Sequence, residues 1–393
     1  MTAPANPLEG NTGSITALPL PPTPELIAGL LEGSAQVSDI LLAPMRPLQI
    51  EVNGRLKAVE MAGIPALVPA DTARIVGDLL ANNPVAEKQL QENGSCDLAY
   101  FLPNFARFRA SILRQRGSYA ISMRVIPKEV PNLAALRLPP QLGKIASLRN
   151  GIVLVTGLAG SGKSSTLAAL INAINEERAV EIHTIEDPIE FLHPHKKATI
   201  LQREVYRDAP NLHVALHAAL RHSASVIFIS EMRDRETVEL ALEAAESGQL
   251  ILSALRTTDV AKTLERILGY FPVAEQQALR IRLARNLRHI VSQRLIPRTD
   301  GAGREPICEI FISNAKTRGR VEKAEFSGRT LAYAMRELAE EGMQCFDDVL
   351  GKLLGSAVLD IQTVREFAGD LLEDPLEPTG RAAGPKPNSV RAG

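Results

Sequence analysis

Residues 151–164 read Gly-Ile-Val-Leu-Val-Thr-Gly-Leu-Ala-Gly-Ser-Gly-Lys-Ser, an apolar β-branched run followed by a complete GxxxxGK[ST] loop. Gly151 to Thr156 is short, apolar and bounded by turn signals, so it reads as a buried strand. After the loop, Leu167, Leu170, Ile171 and Ile174 share one face of a helix over Ser165 to Glu177. Strand, glycine loop and helix start stand in the order that phosphate binding requires. Glycines turn backbone N–H groups inward, and the helix N-terminus adds partial positive charge. The predicted ligand-binding residues are Gly157, Gly160, Ser161, Gly162, Lys163, Ser164 and Ser165. Lys163 is expected to reach the β and γ phosphates and Ser164 to bind Mg2+, making ATP and Mg2+ the expected ligands.

Outward from the loop, apolar runs at 181–185, 225–230 and 249–255 alternate with helical patterns at 163–177, 234–247, 259–269 and 273–288. Strands alternating with helices predict an α/β domain over 142–300, with a mostly parallel sheet covered on both faces. In such sheets ligands lie outside the carboxyl ends of the strands. Two acids stand at that place, Glu186 after Ile182 to Ile185 and Glu231 after Val226 to Ser230. One such carboxylate commonly holds Mg2+ or its water shell and the other orients the attacking water. Each acid also has a plainer reading, as a helix cap or half of a surface salt bridge. The seven histidines show no HExxH or similar metal spacing.

Before the linker at 128–141, residues 25–127 read as a small mixed domain. Asn53-Gly54 between apolar runs marks one hairpin and Arg116-Gly117 another, with a helical segment near 71–91 between them. If Arg116-Gly117 is a two-residue turn, Arg109 stands opposite Arg124 and Ser111 opposite Ser122. Facing like charges destabilise a sheet unless an anion lies between them. A solvated pair that splays apart is the alternative. Residues 301–372 read as a helical C-terminal region, while the proline-rich segments 1–24 and 373–393 are expected to be a disordered leader and tail.

At 393 residues the chain has room for two or three domains. A net charge of −1 gives no bulk attraction to nucleic acid or anionic membrane, and no aromatic-basic stretch suggests nucleic-acid binding. The three cysteines form no CxxC pair and suit a reducing cytoplasm. No apolar run reaches the length of a membrane span, and the N-terminus lacks a signal-peptide pattern, so the expected protein is cytoplasmic.

HTIEDPIEF (183–191), LQREV (201–205), EMRDRET (231–237) and ALEAAESGQL (241–250) resemble the type II/IV secretion and type IV pilus motor ATPases. FRASILRQRGSYAISMRVIP (108–127) and GMQCFDDVL (342–350) extend the resemblance over about residues 25 to 360. It is strongest to the pilus retraction, or twitching-motility, branch. The resemblance implies a PAS-like α+β domain followed by a RecA-like P-loop NTPase domain, assembled as a homohexamer at the inner face of the cytoplasmic membrane. An inner-membrane pilus platform protein and another pilus ATPase are the implied partners, with peripheral membrane association only and no nucleic acid. By the same resemblance Gly157 to Ser164 is the Walker A loop, Glu186 the catalytic base and Glu231 the Walker B acid and water-mediated Mg2+ ligand. Arg109 and Arg124 match arginines directed at nucleotide phosphates.

The chain also departs from the family pattern. Gln249 and Arg256 replace the two histidines of the histidine box, and Ser223-Ala224-Ser225 replaces an aspartate-proline-aspartate. Ser230, His217, Val214 and Ala159 stand where glycine, arginine, glutamate and threonine are usual, and the helical motif is poorly kept in 314–320. Arg256 can still donate to a γ phosphate but is always charged, so intact ATP binding with slow or partner-dependent hydrolysis is expected. Two functions follow: a retraction motor, or an accessory ring subunit that binds ATP and hydrolyses it weakly.

Overall fold

The computed structural model describes residues 20–373 apart from 34–36, 53, 62, 104, 127, 223 and 327. Nearly all of the expected leader and tail, Asn53 and Ser223 therefore lie outside the described residues. The expected mixed α/β architecture is found. Two compact units divide between Glu129 and Val130.

The first unit runs α1 (Thr23–Glu32), β1 (Val37–Leu42), β2 (Leu48–Val52), β3 (Arg55–Val59), α2 (Pro69–Leu80), α3 (Pro84–Asn93), β4 (Ser95–Leu102), β5 (Ala106–Gln115) and β6 (Ser118–Ile126). Its antiparallel sheet has the order β3-β2-β1-β6-β5-β4. The helical segment expected near 71–91 is two helices. Pro84 has no N–H to continue a helix, and Asn83 caps the new one by accepting from Ala86 N at 3.0 Å. Arg116 and Gly117 both have positive φ, 46° and 75°, as a tight hairpin turn requires. Arg109 consequently pairs with Arg124 and Ser111 with Ser122. Phe108, Ala110, Ile112, Ile121 and Met123 on the other face are buried against Leu26, Ile27, Ile75 and Leu79 of the helices.

The second unit contains β7 (Gly151–Thr156), α4 (Lys163–Glu177), β8 (Glu181–Glu186), β9 (Thr199–Glu204), α5 (Leu212–Arg221), β10 (Val226–Ile229), α6 (Arg235–Glu246), β11 (Leu250–Leu255), α7 (Val260–Leu268), α8 (Val273–Asn286), β12 (Leu287–Pro297) and β13 (Arg304–Ile312). Helices α9 (Ala315–Glu322), α10 (Gly328–Glu337), α11 (Phe346–Gly355) and α12 (Ile361–Ala368) follow. The sheet order is β13-β12-β7-β11-β10-β8-β9, parallel except for β13. Both faces are covered, which is why its central strands are continuously apolar. In β7, Ile152 and Leu154 join one core while Val153 and Val155 join the other.

Residues 301–372 are not helical throughout. β12 and β13 pair across the expected boundary at residue 300, so the sheet continues to Ile312. The apolar, β-branched Ile307 to Ile312 fits a strand, and Gly301 and Gly303 supply positive φ in the turn. The helix expected at 273–288 accordingly stops at Asn286, where β12 takes over. Helices α11 and α12 pack Phe346, Leu350 and Val364 against Ile296 and Ile307 of this hairpin. No helix among the described residues is long and apolar enough to cross a membrane.

Candidate functional site

Strand β7 is buried along its whole length and delivers the glycine loop at its carboxyl end. Gly157, Gly160 and Gly162 have φ of 149°, 76° and 88°, outside the range that other residues adopt readily. Space is restricted as well as conformation. A Cβ at Gly157 would strike the Gln293 carbonyl and Ser161 Oγ, and one at Gly162 would lie 2.7 Å from Gln293 Nε2. Gly162 caps α4, which places Lys163, Ser164 and Ser165 in the first helical turn. Lys163 Nζ donates to the carbonyls of Gly157 and Leu158, both at 2.8 Å.

Gln293, on β12, is a part of the site that the sequence reading missed. Its Nε2 donates to the Ser161 carbonyl at 2.8 Å, and its Oε1 accepts from Thr166 Oγ1 at 2.7 Å. One buried amide thus joins the glycine loop to the first turns of α4. The available signal is the apolar run of Ile290, Val291, Leu295 and Ile296, which lies beyond the helix expected at 273–288 and to which the sequence reading gives no element. The Ser161 hydroxyl is buried and has no hydrogen-bond partner among the described residues. A glycine cradle, a helix N-terminus with a lysine, and an unused buried hydroxyl together fit a phosphate group.

Parallel registry brings the ends of neighbouring strands to the same edge. Leu255 pairs with Thr156, Ile229 with Ser253, and Ile229 with Ile185. Glu186, the last residue of β8, is only 6 % exposed. It accepts from Thr184 Oγ1 at 2.7 Å, Gln202 Nε2 at 3.1 Å and Glu190 N at 3.4 Å. Burial disfavours the carboxylate and pushes Glu186 up to about 7 despite these donors. Near neutral pH it can therefore both accept and release a proton.

Glu231 follows β10 and is held by two guanidinium groups. Arg256 Nε lies 3.0 Å from Oε1 and Arg233 Nε 3.1 Å from Oε2. Arg233 also reaches Asp187 at 3.3 Å. Glu231 is thus in a salt bridge, the plainer fate considered for it, at the edge where ligand-facing acids were expected. Arg256 joins it there. Gln249 does not: it precedes β11 at the opposite end of a six-residue strand, about 20 Å from Arg256. It lines a concavity of about 640 Å³ with Arg149 and Arg178, and its Oε1 is buried without a partner among the described residues. The two replaced histidine positions therefore belong to different edges of the sheet, and only Arg256 bears on the phosphate loop.

Arg109 and Arg124 occur in the first unit, paired across β5 and β6. An anion does stand beside them. Asp39, directly opposite Arg124 on β1, accepts from its Nε at 3.0 Å.

Comparisons with known proteins extend over nearly all the described residues. Residues 45–363 match the family described as Type II/IV secretion system protein. The twitching motility protein of Neisseria gonorrhoeae is 38% identical over 81% of this chain and 83% of its own. The type IV pilus ATPase PilU of Pseudomonas aeruginosa is 35% identical over 80% of this chain and 81% of its own. The crystal structure of the pilus retraction motor PilT with bound ADP superposes with a TM-score of 0.76, at 35% identity, covering 89% of this chain and 98% of that one. A glycine loop at the carboxyl edge of a parallel sheet, two acids at the same edge and these matches agree, and the chain belongs to the Type II/IV secretion system protein family.

Proposed function

We propose that the chain is an ATP-hydrolysing motor that powers type IV pilus retraction. The observation that carries this reading is the shared edge of the glycine loop, Glu186 and Glu231, in a chain similar along most of its length to a twitching motility protein. The fold is read as a PAS-like domain followed in sequence by a RecA-like domain, and its working assembly as a homohexamer. Backbone N–H groups of Gly157 to Ser165 hold the phosphates, and Lys163 exchanges its two carbonyl partners for phosphate oxygens. Ser164 and Glu231 would hold Mg2+, which when bound would neutralise charge on the phosphates. Glu186 takes the proton of the attacking water, a task suited to a carboxyl near 7. Arg109 and Arg124 supply positive charge to the phosphates. The inner-membrane platform protein is the partner, with the chain in the cytoplasm at the membrane face and no nucleic acid in its cycle.

One observation favours a second reading, an accessory ATPase with weak hydrolysis. Arg256 occupies Glu231, the acid meant for the Mg2+ water shell, with a permanent charge. Similarity to PilU, named only as a type IV pilus ATPase, is comparable to similarity to the twitching motility protein. A chromosomal Glu186→Ala allele separates them. Loss of pilus retraction supports the motor, and unchanged retraction supports the accessory subunit.

A further inference from the structure

At the other end of β8 the fold gathers three side chains that the phosphate site does not use. Glu181 and His183 are two residues apart on one face of the strand, and His222 follows the last residue of α5. One ligating atom of each lies within 4.8 Å of the others. His183 is buried and bonded through Nε2 to Glu181 Oε1, and its ring centroid is 5.1 Å from that of His222. His222 is exposed and the Glu181 side chain is 30 % exposed, so both can move. No histidine spacing in the sequence announces this group, because it forms only when α5 folds back along β8.

We propose that Glu181, His183 and His222 bind Zn2+, or a divalent transition ion of similar size, and tie the end of α5 to the start of β8. Two imidazoles and one carboxylate are a donor set for such ions rather than for Mg2+, which prefers oxygen. Four tetrahedral ligands at about 2.0–2.1 Å from one ion stand about 3.3–3.4 Å apart, so the exposed His222 closes the site by a shift of up to about 1.5 Å. Three protein ligands leave a fourth, solvent-facing position for water. The site is separate from nucleotide chemistry: it lies at the amino end of the strand whose carboxyl end carries Glu186, and it uses none of the cysteines.

The test uses the untagged full-length chain, stripped with chelator, in the wild-type, His222→Ala and Glu181→Gln forms. Zinc is titrated by calorimetry, cobalt by its visible d–d absorption, and melting is followed with and without zinc. The wild type is expected to take up one equivalent of zinc with a rise in Tm. His222→Ala should lose both, while melting like the wild type in chelator, and Glu181→Gln should bind at least about tenfold more weakly. The proposal is overturned if wild type and His222→Ala bind zinc equally, or if the wild type binds more weakly than about 100 μM.

Discussion

Replacing Gln293 with leucine tests whether β12 sets the shape of the phosphate loop. The change keeps approximate volume but removes the donor to the Ser161 carbonyl and the acceptor of the Thr166 hydroxyl, at 2.8 Å and 2.7 Å. Thr166 can redirect its hydroxyl to the carbonyl of Gly162 one turn back, to which its own N–H already donates. The cost therefore falls mainly on the Ser161 carbonyl, left unsatisfied for about 1–3 kcal/mol. If the loop relaxes outward to recover that bond, the same free energy is taken from nucleotide binding, a loss of about five- to 150-fold in affinity. Calorimetric titration with ATP or ADP measures it, and circular dichroism confirms the fold. Affinity within twofold of the wild type would refute the claim that Gln293 shapes the loop.

Gly162→Ala places a Cβ 2.7 Å from Gln293 Nε2 at a φ of 88°, so ATP affinity should fall more than about tenfold while global secondary structure persists. Glu186 is raised from 4.5 to about 7, which means that the folded state binds the extra proton between those values and loses stability as pH rises through that window. The Tm advantage of Glu186→Gln over the wild type should therefore grow from pH 4.5 to 7 and level off above; a difference independent of pH would show that Glu186 titrates normally. Arg256→His releases Glu231 from one charged partner, and turnover should rise severalfold with Tm nearly unchanged, because an ion pair whose arginine side chain is 58 % exposed contributes at most about 1 kcal/mol. Unchanged turnover would show that the pair is no brake.

Local chemistry made the nucleotide edge legible. The strand at 151–156, the loop, the helix from Lys163 and the acids after β8 and β10 each carry their own pattern of apolar runs, glycines and terminal carboxylates. The register of β5 on β6 was readable for the same reason, since a two-residue turn fixes every pair behind it. What escaped depends on contacts between distant segments. β12 abuts α8 with no punctuating residue, and its identity as a strand rests on pairing with β7 and β13. Gln293, 132 residues from Ser161, could not be assigned to the loop until that pairing was known. Asp39 beside Arg124 and His222 beside His183 are likewise products of topology. The opposite fates of Gln249 and Arg256 follow from strand length alone, but only once β11 is known to run from one edge to the other.

In the proposed function the loop, Glu186 and Glu231 form one ATP-hydrolysing site. Steady-state Mg-ATP turnover by the purified assembly, compared with Glu186→Gln, tests it most directly. The wild type is expected to hydrolyse ATP measurably and Glu186→Gln to lose at least about a hundredfold of that turnover, with ATP binding retained. Equal turnover by the two proteins would contradict it.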